Sequence, residues 1–247
     1  MSFQDTARQF HTEGFAIVRD VFTPAELAEI EAALDYCLTE VGPTLEAGEI
    51  YYESTPARPI KSMFRLQQYH RRMAYLLTDR RLHELVQTVY DDPDVVIEQV
   101  GFFGKPARDG SVTPAHQDNI FQCFDPPDAL TLTVAIDAST PDNGPLVCQV
   151  GSHELGLLPH VPSGVMGFSQ QLIDPLDAQA YPPVEICMNR GDLCLHAVNT
   201  VHYSGANQTD RSRRQLAISC QASRAAIDEE LMARRKAILA QLHADHE

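Results

Sequence analysis

Between Val95 and Ser219, short apolar runs alternate with clusters of Gly, Pro, Asn and Asp, and this texture constrains the fold more than any other feature. Runs this short suit strands that pair into an antiparallel sandwich or barrel. The expected strands are Val95–Gly104, Leu130–Ala138, Leu146–Val150, Val184–Met188, Asp192–Ala197 and Arg214–Gln221. Gly191-Asp192 reads as a tight turn launching a strand, and Asn143-Gly144 as a turn preceding one. The stretch from Pro159 to Pro183 is rich in turn formers and reads as a loop over a site.

The flanks read differently. Thr23-Pro24-Ala25-Glu26 forms a capping box with proline at the first helical position. Leu27, Ile30, Ala33 and Leu34 follow at helical spacing. Gly14 to Arg19 reads as a short strand, Gly42 to Pro59 as a polar loop, and Leu76 to Tyr90 as a second helix that Pro93 ends. Beyond Ser223 the apolar residues return among charges and predict a C-terminal helix. One domain over 1–247 is expected: a largely helical part over about 1–94, a β core over about 95–221 and a helix over about 223–245. The fold class is thus mainly β with flanking helices.

Composition excludes some functions. A net charge of −15 argues against nucleic acid or an anionic membrane as the main partner. Met1 to Asp20 lacks a charged-then-apolar leader, and no apolar run approaches a membrane span. The six cysteines are scattered without a C-x-x-C pair, which fits reduced thiols in a cytoplasmic protein.

The chemistry concentrates in two places. TPAHQDN (Thr113 to Asn119) sets His116 and Asp118 two residues apart, and residues i and i+2 of an extended segment share a face. TVHYSGANQTDRSRRQLAIS supplies a distant His202 followed by arginines. Two imidazoles and one carboxylate make the facial triad of non-haem Fe(II) oxygenases, which leaves coordination positions open. An isolated H-x-D is weak by itself, since a histidine bonding a loop carboxylate has the same spacing.

Larger blocks carry a resemblance. FHTEGFAIVRDVFTPAELAEIEAAL, QVGFFGKPARDGSVTPAHQDN, AIDASTPDNGPLVCQVGSHELG, GDLCLHAVNTVHYSGAN and RSRRQLAIS occur in this order from about Phe10 to Ser219. In them the chain resembles the phytanoyl-CoA dioxygenase family of Fe(II)- and 2-oxoglutarate-dependent oxygenases. The resemblance implies a double-stranded β-helix, the cupin-like jelly roll, with helices packed outside. It also implies Fe(II), 2-oxoglutarate and O2 as cofactor and cosubstrates, with His116, Asp118 and His202 holding the iron. Arg213 stands where the family anchors the distal carboxylate of 2-oxoglutarate. Its neighbour Arg214 is the alternative should the register slip by one. Ser204 matches a family serine on the same carboxylate. Gln99, Lys61 and one of Thr131 and Thr133, with Thr133 preferred, are further candidates to face the cosubstrate. His153 and His196 read as residues that support the site or fix loops.

The chain has no tryptophan, and Ala115 stands where the family often has an aromatic before the H-x-D. Asp118 is retained, whereas halogenating relatives replace it with a small residue, so hydroxylation is favoured. Desaturation, cyclisation and epimerisation use the same triad. A cupin-like metal isomerase or lyase without 2-oxoglutarate, or a non-catalytic metal-binding protein, is the alternative. Tyr51, Tyr52, Arg65, Gln67 and Tyr69 are expected at the entrance, and Asn119 and Phe121 near the substrate. That mixture suits a polar or anionic small molecule, handled by a monomer or homodimer.

Overall fold

The computed structural model describes residues 2–46, 48–165 and 167–244, and in it two antiparallel sheets form a sandwich with helices along one side. Strands and helices are each numbered in chain order. The larger sheet has the order β1 (Phe15–Val18), β11 (Leu193–Ala197), β6 (Ala129–Ala135), β13 (Arg213–Gln221), β4 (Val96–Lys105), β3 (Ile60–Met63), β2 (Ile50–Tyr52). The smaller has the order β10 (Pro183–Ile186), β7 (Leu146–Gln149), β12 (His202–Ser204), β5 (Thr113–His116). A hairpin of β8 (His160–Val165) and β9 (Phe168–Leu172) stands apart. This is the expected mainly β architecture of jelly-roll type.

The strand period of two divides the larger sheet's faces. Leu130, Leu132 and Val134 of β6, with Leu216 and Ile218 of β13, join Leu27, Ile30 and Leu34 of α2 (Pro24–Tyr36) in one core. The helix α4 (Arg80–Tyr90) adds Leu82, Leu85, Val86 and Val89. Each such side chain contributes about 1.5–3 kcal/mol on full burial. The alternate residues, Thr131 and Thr133 on β6 and Arg213 to Gln221 at odd positions on β13, turn to the cavity between the sheets. On β6 and β13 the helix face is thus apolar, while the cavity face carries their polar side chains.

Local signals set the helix ends. Thr23 and Glu26 form the reciprocal capping box of α2, with Pro24 at its start. The N-terminal helix α1 (Phe3–Glu13), which the sequence reading leaves unassigned, has its own capping box, Ser2 with Asp5. The helix expected from Leu76 to Tyr90 begins only at Arg80, as α4, and Leu76 instead ends a separate short helix, α3 (Arg71–Leu76). The Asp79 carboxylate accepts from the Arg81 N–H at 3.0 Å, and that cap restarts the helix.

Two expected loops contain structure. Gly42 to Pro59 holds a 3₁₀ turn at Gly42–Thr44 and strand β2. Pro159 to Pro183 holds the β8–β9 hairpin, whose residues lack an apolar alternation and whose strands pair mainly with each other. The part before residue 95 therefore contributes three strands as well as helices. The C-terminal helix α6 (Glu229–Ala244) is present as expected, with the Asp228 carboxylate accepting from Glu230 and Leu231 N–H groups at 3.0 Å. No helix among the described residues is long and apolar enough to cross a membrane. All six cysteines are free and five are buried.

Candidate functional site

His116 and His202 are cross-strand partners on β5 and β12, with ring centroids 4.2 Å apart. Asp118 does not share their extended backbone. Its φ and ψ of −60° and −27° are helical, because it opens the short helix α5 (Asn119–Gln122). The strand argument for the H-x-D pair therefore holds for His116 alone, and a turn brings Asp118 round to the same point. One ligand atom from each of the three lies within 4.8 Å of the others.

Backbone carbonyls set the imidazoles. His116 Nδ1 lies 2.7 Å from the Pro114 oxygen and His202 Nδ1 lies 2.9 Å from the Thr200 oxygen. Each Nδ1 therefore carries the proton, and each Nε2 lone pair is left for a metal. Burial, and then the adjacent His116, pushes the His202 imidazole down to about 3, which keeps it neutral and able to ligate. Asp118 is oriented by two further groups: the Thr131 hydroxyl donates to its Oδ2 at 2.7 Å, and His196 Nε2 lies 3.2 Å from the same oxygen. The donor set and its fixed tautomers fit a divalent iron.

The triad lines a cavity of about 780 Å³ between the sheets. Arg213 reaches it from the start of β13. This guanidinium is buried, donates to the Gly144 carbonyl at 2.8 Å and to the Gln215 side chain, and keeps a shielded Nε without a partner. Among the described residues no carboxylate lies within 4.0 Å of it. Burial pushes its pKa down to about 10, the mark of a cation short of a counter-ion. Gly144 is required where it stands: at φ 73°, a Cβ would lie 2.4 Å from the Gly205 oxygen.

Arg214 points the opposite way, into Glu31, Asp35 and Asp137 on the outer side. Arg211 is exposed. Gln99, Thr133 and Ser204 all line the cavity. Lys61 does not. It lies in an adjoining space of about 30 Å³ with Lys105, Arg213 and Glu53, its Nζ 2.9 Å from the Ser111 hydroxyl.

These observations agree with what the chain is similar to. The profile of Phytanoyl-CoA dioxygenase (PhyH) matches residues 10–215. The chain belongs to the phytanoyl-CoA dioxygenase family. It is 29% identical over 153 residues to the ectoine dioxygenase of Sphingopyxis alaskensis, covering 60% of this chain and 48% of that one. It is 27% identical over 168 residues to the methylphosphonate hydroxylase of Gimesia maris, covering 67% and 60%. The chain thus spans about half to three-fifths of the length of these relatives. Among solved structures, EctD from S. alaskensis with 2-oxoglutarate and 5-hydroxyectoine superposes with a TM-score of 0.73 at 24% identity, over 90% of this chain and 76% of that one. The epimerase SnoN from nogalamycin biosynthesis gives 0.73 at 22%, over 91% and 85%. At these identities the likeness shows the shared fold.

Other site expectations need correcting in this family member. Asn119, expected near the substrate, does not line the cavity. It is buried, and its side chain clamps Phe124, donating to the carbonyl at 3.0 Å and accepting from the N–H at 2.8 Å. Gln67 is engaged with the backbone of β4, accepting from Val100 at 3.0 Å. Tyr52 lies under the Arg58 guanidinium and Tyr69 bonds Glu49, so neither lines the cavity. Tyr51, Arg65 and Phe121 do. His153 fixes a loop against the His11 carbonyl at 3.2 Å, as its reading implied.

Sequence reasoning missed Lys105, Gln215, Phe168 and Arg235. Phe168 comes from the hairpin and packs 5.4 Å from the His116 ring. Lys105 and Gln215 were legible only as strand residues. Their alternation with buried apolar neighbours on β4 and β13 was the one available signal.

Proposed function

We propose that this chain is an Fe(II)- and 2-oxoglutarate-dependent oxygenase that oxidises, most simply by hydroxylation, a polar or anionic small molecule. The observation that carries the reading is Arg213. A buried guanidinium without a carboxylate costs several kcal/mol of desolvation and persists where a ligand supplies the anion. It lines the same cavity as the His-Asp-His set, so one dicarboxylate with a keto acid at its other end would satisfy both. A metal isomerase or lyase without that cosubstrate would have no use for the cation.

His116, Asp118 and His202 would hold the iron, and Arg213 with Ser204 the distal carboxylate, beside Gln99 and Thr133. Iron and 2-oxoglutarate, when bound, supply the oxidising power by reducing O2 with release of succinate and CO2. The chain's own residues position and shield. Thr131 and His196 hold the Asp118 carboxylate in place, and two carbonyls hold the imidazoles. Phe103, Phe121 and Phe168 line the cavity with apolar surface that would keep water from the reacting carbon. Lys61 stands near Arg213 and adds positive potential there rather than a direct contact with the main cavity.

Relatives named for methylphosphonate and 2-aminoethylphosphonate support a small anionic substrate. Buried free thiols and the acidic composition support a cytoplasmic setting. The test is anaerobic addition of Fe(II) and 2-oxoglutarate, followed by O2 and a panel of small substrates. Succinate formation that depends on all three and rises with one substrate is the expected result. Binding of metal without any 2-oxoglutarate turnover would move the assignment to the isomerase or lyase class.

A further inference from the structure

Arg235 is a charged residue of the cavity that the reading above leaves unused. It sits on α6 four residues before Leu239, and both side chains line the cavity. That spacing puts them on one helix face. The sequence neighbours serve solvent instead: Arg234 is exposed and pairs with Glu230 at 3.6 Å, and Lys236 is exposed. A helix that already carries its surface charge elsewhere has turned one guanidinium inward. Arg235 is half-buried, its Nε is shielded and has no hydrogen-bond partner, and among the described residues no carboxylate lies within 4.0 Å. The cavity's acids have other places. Glu49 meets Arg65 at 3.7 Å, Asp118 belongs to the triad, and Glu98 is exposed on β4.

The frame ties α6 to the triad. Phe124 forms a β-bridge with Ile227, the Asp125 N–H donates to the Ala226 carbonyl at 2.9 Å, and the Asp228 N–H donates to the Cys123 carbonyl at 2.7 Å. Cys123 and Phe124 directly follow α5, which Asp118 opens. The start of α6 is therefore docked on the segment that carries an iron-ligand candidate. Burial pushes the Tyr51 hydroxyl and the Cys123 thiol up, and the nearby Arg235 charge opposes it at both groups. On β13, Ser219 stands opposite Thr131, the residue that bonds Asp118. Arg213 lies six residues before that level, roughly 20 Å along the strand. Cys220, Gln221 and then α6 follow on the other side of it.

We propose that Arg235 is the specificity-determining residue of this enzyme, receiving a carboxylate, phosphonate or phosphate group of the substrate while Arg213 serves the cosubstrate. The inference rests on the oxygenase reading and deepens it. It gives the chain two guanidiniums with separate tasks, one fed from β13 and one from the C-terminal helix.

The protein loaded with Fe(II) and 2-oxoglutarate under anaerobic conditions is titrated with methylphosphonate, 2-aminoethylphosphonate and a set of short carboxylic acids, each beside its neutral amide or methyl ester. In the wild type at least one acid binds about tenfold or more tightly than its neutral counterpart. Arg235→Ala and Arg235→Gln abolish that preference, and Arg235→Lys keeps part of it. Affinity for Fe(II) and 2-oxoglutarate, measured on the same samples, is unchanged in all three variants, which also reports that they are folded. Equal binding of acids and neutral partners by the wild type, binding of no acid, or an unchanged preference in Arg235→Ala and Arg235→Gln overturns the proposal. Failure of the wild type to bind 2-oxoglutarate overturns the oxygenase reading instead, and the acid-against-amide comparison still decides Arg235.

Discussion

Arg213 and Arg214 are adjacent on β13 and face opposite sides of the sheet: one is buried in the cavity beside the Gly144 carbonyl, the other pairs with Asp137 at 2.8 Å on the outer side. Strand alternation makes them functionally unlike despite identical chemistry. Arg213→Ala should raise the 2-oxoglutarate requirement by about tenfold or more and leave iron binding intact. Arg213→Lys should recover little of this, because a point charge does not reproduce the fork. Initial rates against 2-oxoglutarate concentration check both.

Arg214→Ala should act on stability alone. It removes a half-exposed hub that touches Glu31, Asp35 and Asp137, worth about 1–2 kcal/mol after solvent screening. For a chain of this size that is a fall in Tm of roughly 2–8 °C, with the cosubstrate requirement unchanged. Thermal unfolding beside the same rate measurements separates the two arginines. An Arg214 variant with a raised 2-oxoglutarate requirement would contradict the register.

The triad should be readable without turnover. Fe(II) added anaerobically should raise the wild-type Tm, since a ligand that binds only the folded state stabilises it. His116→Ala, Asp118→Ala and His202→Ala should each lose most of that rise and all activity. A full metal-induced shift in Asp118→Ala would remove it from the ligand set.

Thr131→Val tests the support beneath the ligand. The change keeps volume and deletes the hydroxyl that donates to Asp118 at 2.7 Å. Metal affinity should fall by about 10–100-fold, the usual effect of losing a group that orients a ligand. Restoration by Thr131→Ser, with Thr131→Val still folded by circular dichroism, assigns the effect to the hydrogen bond.

Lys105 should give stability a pH signature. Burial first, and then Arg213 and Lys61, push its ammonium from 10.5 down to about 7, with Glu53 opposing. Between those values the unfolded chain binds more protons than the folded one, so this group makes stability rise with pH across that window. Below about pH 7 the penalty is complete, because both states are charged. Lys105→Met should therefore raise Tm relative to wild type at about pH 6, and the gain should shrink towards about pH 10. A gain independent of pH would mean that packing, not charge, is responsible.

Much of the frame was legible along the chain because its causes are local. The Thr23–Glu26 capping box predicted α2, and the long strands β4, β6, β11 and β13 were found within a few residues because their apolar residues recur through segments bounded by turn formers. Short polar elements were not. β2 and the β8–β9 hairpin are held by pairing and by contacts with residues far away, and their own residues carry no period. The helix expected over Leu76 to Tyr90 was begun too early, since Asp79 also reads as a tolerable helix residue until its side chain is seen to cap α4.

The sequence by itself determined the chemistry available here: the H-x-D pair, a distant histidine, and arginines at the right remove from it. Spacing along a chain specifies which groups exist and which share a local face. It does not specify what stands across a cavity. Only the tertiary structure decided that Asp118 is held by Thr131 and His196, and that Arg213 is buried without an anion beside Lys105. It alone placed Asn119 in a backbone clamp and turned Arg235 inward from a helix more than a hundred residues beyond Asp118. Those relationships depend on the pleat of β6 and β13 and on the docking of α6 against α5, which are products of long-range packing.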